Sequence, residues 1–176
     1  MTNLNQSHGG FSQRHKERYL SAISVGLFLL LIGVFFVATP NLYDKTGEFF
    51  TDFNITTPVH TSSQWNITLP APMHPGTHSV VYLAVEQFSF AWGIFLIGLL
   101  ALRLVLRAPL RKKAENVSDI VSWLGAGYLV SMYLNETTTT TIWFTFWAAI
   151  IVLIGVSLIV RAVVLAIFRP RFRTFR

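Results

Sequence analysis

The side chains of this sequence that are of a type to do chemistry gather in three places. The first is Glu86, followed by Gln87, Ser89 and Trp92 at the start of an apolar run. A carboxylate entering such a run is a proton or cation ligand if it faces a bundle interior, and a solvated acid if it stays at the interface. Counting from Arg103, Glu86 is 17 residues away. That is about 25 Å along a helix, which places it near the outer edge of a bilayer. The second place is a set of histidines, His60, His74 and His78, with Met73 beside them. His74 and His78 have i, i+4 spacing, but Pro75 and Gly76 between them oppose a helix, and no rigid scaffold or nearby carboxylate is evident. They are the candidates for a metal, and no metal or other cofactor is expected. The third is Glu115 with Asp119, whose partners would be Arg111, Lys112 or Lys113. Pairs of that kind are structural and contribute under about 1 kcal/mol.

No Ser-His-Asp arrangement, HExxH, phosphate loop or GxGxxG occurs. With no cysteine in the chain, disulfides, thiolate metal sites and thiol nucleophiles are excluded. These absences favour a non-enzymatic protein.

The elements that hold these residues are apolar and long. The chain is 52% hydrophobic and only 12% charged, about half the charge of a soluble domain. Phe90 to Leu104 is apolar or glycine except for Arg103, and Arg107, Arg111, Lys112 and Lys113 follow at once. A basic cluster at the end of a lipid-length run belongs on the cytoplasmic side. The net charge of +6 therefore faces anionic headgroups, not nucleic acid.

The pattern predicts an all-α integral membrane four-helix bundle. Its spans run about 19–38, 80–106, 118–134 and 142–168, with a polar cytoplasmic tail over 1–18 and a basic one over 169–176. No cleavable signal peptide is expected in the first span. The outer segment 39–79 contains an amphipathic surface helix near Asn41 to Asn54, its aromatic side in the headgroups, and then an extended Pro/Thr-rich aqueous loop. Ser118 and Asp119 are the expected N-caps of the third span. Of the 14 Lys and Arg residues, this threading leaves Lys45 alone outside. Arg103 and Arg161 sit at inner helix ends, where they can snorkel. Three spans would instead put the basic tail outside, against the charge bias. Gly26 and Gly33 in the first helix, and Gly125, Gly127 and Ser131 in the third, form small-residue faces for close helix packing or a partner. The Asn116-Val-Ser118 sequon lies inside, where it cannot be glycosylated.

At TPNLYDKTGEFF, EQFSFAWGIF, VSDIVSWLGAGYL and FWAAIIVLIGVSLIVRA the chain resembles a group of small uncharacterised archaeal polytopic membrane proteins. The likeness covers most of Tyr19 to Phe168 and implies no activity, cofactor or ligand residue. The expectation is a cell-membrane protein with both termini cytoplasmic, acting as a non-enzymatic structural or accessory subunit. Its partners would be the bilayer and either another membrane protein or further copies of itself. The alternative is a small-solute or ion transporter or channel whose pathway forms between protomers, with Glu86, Gln87, Ser89 and Trp92 at its mouth.

Overall fold

The computed structural model describes residues 8–56, 69–106 and 108–167, with the side chains of 8–18 and 20 left aside. His60, Arg107, the loop over 57–68 and the basic tail over 169–176 lie outside the described residues. The chain is mostly helical and divides after Ala38 into two units.

The first unit holds one helix, α1 (His8–Ala38), 31 residues long. It starts well inside the stretch expected to be a polar tail. Residues 13–18 are mostly good helix formers, and extending an existing helix costs far less than nucleating one. Its Ser21–Ala38 portion is apolar and long enough to cross a membrane. The helix stops at Ala38 because Thr39 precedes Pro40 and is pushed out of the helical region. A Cβ built on Gly26 or Gly33 meets nothing within 4 Å.

In the second unit, Asn41 turns the chain with φ 58°, a left-handed conformation that asparagine tolerates. The helix α2 (Leu42–Thr51) follows, and then β1 (Phe53–Thr56). β1 pairs antiparallel with β2 (Leu69–Pro72), Phe53 opposite Pro72 and Thr56 opposite Leu69. The stretch expected to be wholly extended loop is thus pinned at both ends by a small sheet. A 3₁₀ turn, Pro75–His78, leads into α3 (Ser79–Val105).

The remaining helices are α4 (Leu110–Tyr133) and α5 (Thr140–Ile167). The expected start of α4 at Ser118 is corrected by eight residues. Pro109, at φ −61°, suits the position before a helix, and LRKKAE favours helix. Ser118 is not a cap; its hydroxyl donates to Ser157 O of α5 at 2.9 Å.

The three helices α3, α4 and α5 are successively antiparallel. A Cβ on Gly127 would lie 3.2 Å from Ser89 Cβ, and one on Gly93 would collide with Leu124. Deeper along the same seam, Asn116 Nδ2 donates to Leu96 O at 3.0 Å. On the opposite side of α4, a Cβ on Gly125 would strike Leu153. The expected small-residue face is therefore split, Gly127 toward α3 and Gly125 toward α5. Ser131 is exposed and bonds back to Tyr128 O. Gly76 of the 3₁₀ turn abuts the carbonyl of Glu136 in the α4–α5 turn. Three helical segments among the described residues are long and apolar enough to cross a membrane, Ser21–Ala38, Pro75–Val105 and Thr140–Ile167. α4, which carries Glu115, Asp119 and several small polar residues, is not one of them.

Replacing Gly93 by valine should destabilise the α3–α4 seam by about 1–3 kcal/mol, the cost of overpacking a fitted contact. Gly98→Ala, where nothing lies within 4 Å, should be neutral or gain up to about 1 kcal/mol. Thermal unfolding in mild detergent, followed by circular dichroism, distinguishes the two.

Candidate functional site

The best-organised polar site is built on Asp52, where α2 gives way to β1. The pairing of β1 with β2 continues one step further, with Met73 N donating to Asp52 O at 3.0 Å. That register carries His74 onto the Asp52 carboxylate. The backbone N–H of His74 donates to Oδ2 at 2.8 Å, and its ring Nδ1 lies 3.1 Å from Oδ1. The 3₁₀ turn then brings His78 round, its Nε2 3.0 Å from Oδ2. The turn is tied by Thr77 Oγ1 donating to His74 O at 2.7 Å.

The two histidines differ in setting. The His74 side chain is 69% exposed and that of His78 5%. His78 stands edge-on to Phe49, ring centroids 5.2 Å apart. Phe49 also packs edgewise on Phe53, Tyr82 and Trp143. Below it lies a core of Ala71, Tyr82, Val130, Leu134, Trp143 and Phe146. The aromatic side expected to lie in the headgroups is therefore divided. Phe49 packs into the protein and one edge of the exposed Phe53 rests on Phe49 and Trp143, while Tyr43 and Phe50 stay exposed.

Burial pushes the Asp52 carboxyl up, but the bond from His78, the backbone N–H of His74 and the His74 ring outweigh it. The net result is a carboxyl held at about 2, against an ordinary 3.8. Asp52 is ionised at any ordinary pH, and each imidazole must present an N–H to it. Among the described residues, His78 Nδ1 and the Tyr82 hydroxyl are buried without a hydrogen-bond partner.

The expectation that the histidines lack a scaffold and a carboxylate is thus overturned for His74 and His78. Both are held on one. One ring nitrogen of each histidine is engaged by Asp52, and among the described residues no group of three His, Asp or Glu could hold a metal ion. The site is a charge clamp tying the end of α2 and the β1–β2 sheet to the start of α3. Asp52 carries it and was missed as a partner, because it lies 22 and 26 residues from the two histidines.

The residues placed at a pathway mouth do not converge. Glu86 is half-buried in an open groove of about 640 Å³, with Leu83, Ser131, Asn135, Glu136 and Thr137 around it. Gln87 points outward. Ser89 is buried and donates to Val85 O at 2.7 Å. Trp92 is buried, tilted against Phe95 and edge-on to Trp123.

At the other end of the helices, Glu115 gathers three cations. Arg111 Nε is 3.4 Å away, Lys112 Nζ 3.1 Å and Arg161 Nη2 3.0 Å. The pairing of Glu115 with Arg111 and Lys112 is as expected; the link to Arg161 across α4–α5 is new. Arg103 Nη1 donates to Lys112 O at 3.2 Å, joining α3 to α4.

No family model matches the chain, and neither curated proteins nor solved structures include one significantly similar to it.

The clamp has a defined pH window. The folded carboxyl, at about 2, sits below its unfolded value near 3.8. Its contribution is fully present above the unfolded value and is lost as pH falls through the folded one. A shift of this size is worth about 2 kcal/mol. Asp52→Asn should lower stability at neutral pH by about that amount and remove the acid-induced loss. Trp143 fluorescence during an acid titration reports it.

Proposed function

We propose that this chain is a multi-pass cell-membrane protein with both termini cytoplasmic. In this reading it is a non-enzymatic structural or accessory subunit of a membrane assembly. The observation that carries it is the distribution of charge along α3, α4 and α5. One end of the three helices holds Arg103, Arg111, Lys112, Lys113 and Arg161 with Glu115 and Asp119; at the other are Asp44, Glu48, Asp52, Glu86 and Glu136, with Lys45 the one cation there among the described residues. Between the two ends the outward surface is apolar, with Ile94, Ile97, Ile151, Val152 and Ile159 exposed. A positive inner end, an apolar girth and an acidic outer end are what a bilayer selects.

α4 is read as a fourth span although its composition is the most polar. α3 and α5 point the same way, so the chain must return through α4 across the thickness they cover. Its 24 residues reach about 36 Å, enough for a hydrocarbon core of about 30 Å. Together with α1 this makes four spans.

A structural role is supported by how the ionisable groups are used. Asp52 and Glu115 are each held by several internal bonds, which fix elements to one another. Outside, the cap presents Tyr43 and Phe50 beside Asp44 and Glu48, a surface suited to a partner or to headgroups. The groove at Glu86 favours a second reading, a small-solute or ion pathway completed by another protomer. Glu86→Gln would then abolish flux in liposomes, and full flux in that variant would remove this reading.

The absence of cysteine makes the topology directly testable. Single cysteines at Glu136 and Arg111 should label oppositely with an impermeant thiol reagent in intact cells, Glu136→Cys reacting and Arg111→Cys only after permeabilisation. The reverse pattern would overturn the threading. Purification in mild detergent should retain a second membrane protein or further copies, identified by mass spectrometry; a lone monomer would remove the subunit role.

A further inference from the structure

Asn-x-Ser/Thr is the acceptor pattern for an N-linked glycan. Among the described residues it occurs at Asn54, Asn116 and Asn135, and the structure sets the three apart. Asn116 is buried, with its Nδ2 spent on Leu96 O. Asn135 is built into the short turn between α4 and α5. Its Oδ1 accepts from both the backbone N–H and the hydroxyl of Thr137, at 2.8 and 2.6 Å. It follows the end of α4 almost at once, so in the threading proposed above a bulky group there would press on the headgroups.

Asn54 is placed differently. It is exposed in the middle of β1, well separated along the chain from α1 and α3. The strand holds the triplet extended, Asn54 opposite Ala71 and Thr56 opposite Leu69. Asn54 Oδ1 accepts the N–H of Ile55 at 2.7 Å. The atom a glycan would occupy, Nδ2, reaches the thioether of Met73 at 3.6 Å, and such a sulfur is a weak acceptor. The amide nitrogen is therefore both accessible and uncommitted.

The surroundings supply a reason for a glycan. From Asn54 to Ser79 the sequence has no Asp, Glu, Lys or Arg. Yet Ile55 is 72% exposed, and Phe53, Leu69 and Met73 are open as well. Apolar surface on a small sheet, with no charge of its own to keep it apart from other chains, is a site of association. An oligosaccharide is bulky and solubilising, and one on Asn54 would stand beside all four side chains.

We infer that Asn54 is the acceptor of an N-linked oligosaccharide that shields the β1–β2 sheet. This rests on the threading proposed above, which puts the sheet outside. The transfer takes a lipid-phosphate-linked oligosaccharide as donor and a membrane transferase acting on that side. A bond forms between Asn54 Nδ2 and the sugar C1 as the C1–O bond to the lipid phosphate breaks. The phosphate leaves with the electron pair, and Nδ2 gives up one proton to solvent. One N–H remains on Nδ2, so the contact with Met73 survives.

The test uses the full chain isolated from membranes of the cells that naturally make it. Its intact mass should exceed that of the polypeptide, and fragmentation should place the added sugar on Asn54. Asn54→Gln and Thr56→Val should each lose that sugar, whereas Thr56→Ser should retain it. Asn54→Gln should keep its circular dichroism but scatter light at a lower temperature on heating. A bare Asn54, sugar confined to Asn66, or sugar persisting on Asn54 in Thr56→Val would each overturn the site. An unchanged onset of scattering in Asn54→Gln would overturn the shielding role. Labelling of Glu136→Cys separates this inference from the threading beneath it. If that cysteine reacts in intact cells while Asn54 is bare, only the glycan is lost; if it reacts only after permeabilisation, both are.

Discussion

Helix α4 has to pass between two neighbours that run in the same direction, and the rest of the second unit follows from that. Such a helix is covered on opposite sides, so it can carry groups that lipid would reject. Asn116 and Ser118 use this shelter. Each reaches a backbone carbonyl of a different neighbour, Leu96 in α3 and Ser157 in α5. A helical carbonyl retains a lone pair after its own helix bond, so both contacts form without breaking a turn. A hydrogen bond of this kind contributes on the order of 1 kcal/mol net. The glycines complete the fit. Gly93, Gly125 and Gly127 let side chains of the facing helix occupy the space a Cβ would take.

The cap formed by α2 and the β1–β2 sheet is attached by a different force. Its sheet is only two strands of four residues each, too small to persist unaided. Asp52 joins it to the helices by bonding the residue that follows β2 and the one that precedes α3. Beneath the carboxylate, Phe49 locks the same junction through edge contacts with His78, Tyr82 and Trp143. Polar clamp and aromatic plug work together, since the plug keeps water from competing for the clamp. The opposite end of the helices has its own counterpart in Glu115, which joins α4 to α5 through Arg161.

Much of the architecture was legible in advance. The apolar runs expected over 19–38, 80–106 and 142–168 announce themselves by length and by the proline before or after them. The start of α4 did not, because Ser118 and Asp119, both good N-cap types, drew it to 118, whereas the helix begins at Leu110 directly after Pro109. Asn116 and Ser118 looked like an unused sequon and a cap; their partners lie 20 and 39 residues away. Asp52 falls in the stretch expected to be a surface helix, four and eight residues after Glu48 and Asp44. Nothing local distinguishes it from the other two, since its histidines arrive through strand pairing across an intervening loop.

What the amino-acid order determined by itself was the partition of the chain between apolar and polar surroundings. Hydropathy, helix breakers and charge placement are properties of single residues and near neighbours, and each acts before any folding. Tertiary structure alone decided which polar side chains meet. The split of Gly125 and Gly127 between two seams, the seating of two histidines on Asp52 and the reach of Arg161 to Glu115 all depend on relative rotation and register of separate elements. Those are set by packing across the interfaces, and no window of sequence contains both sides of an interface.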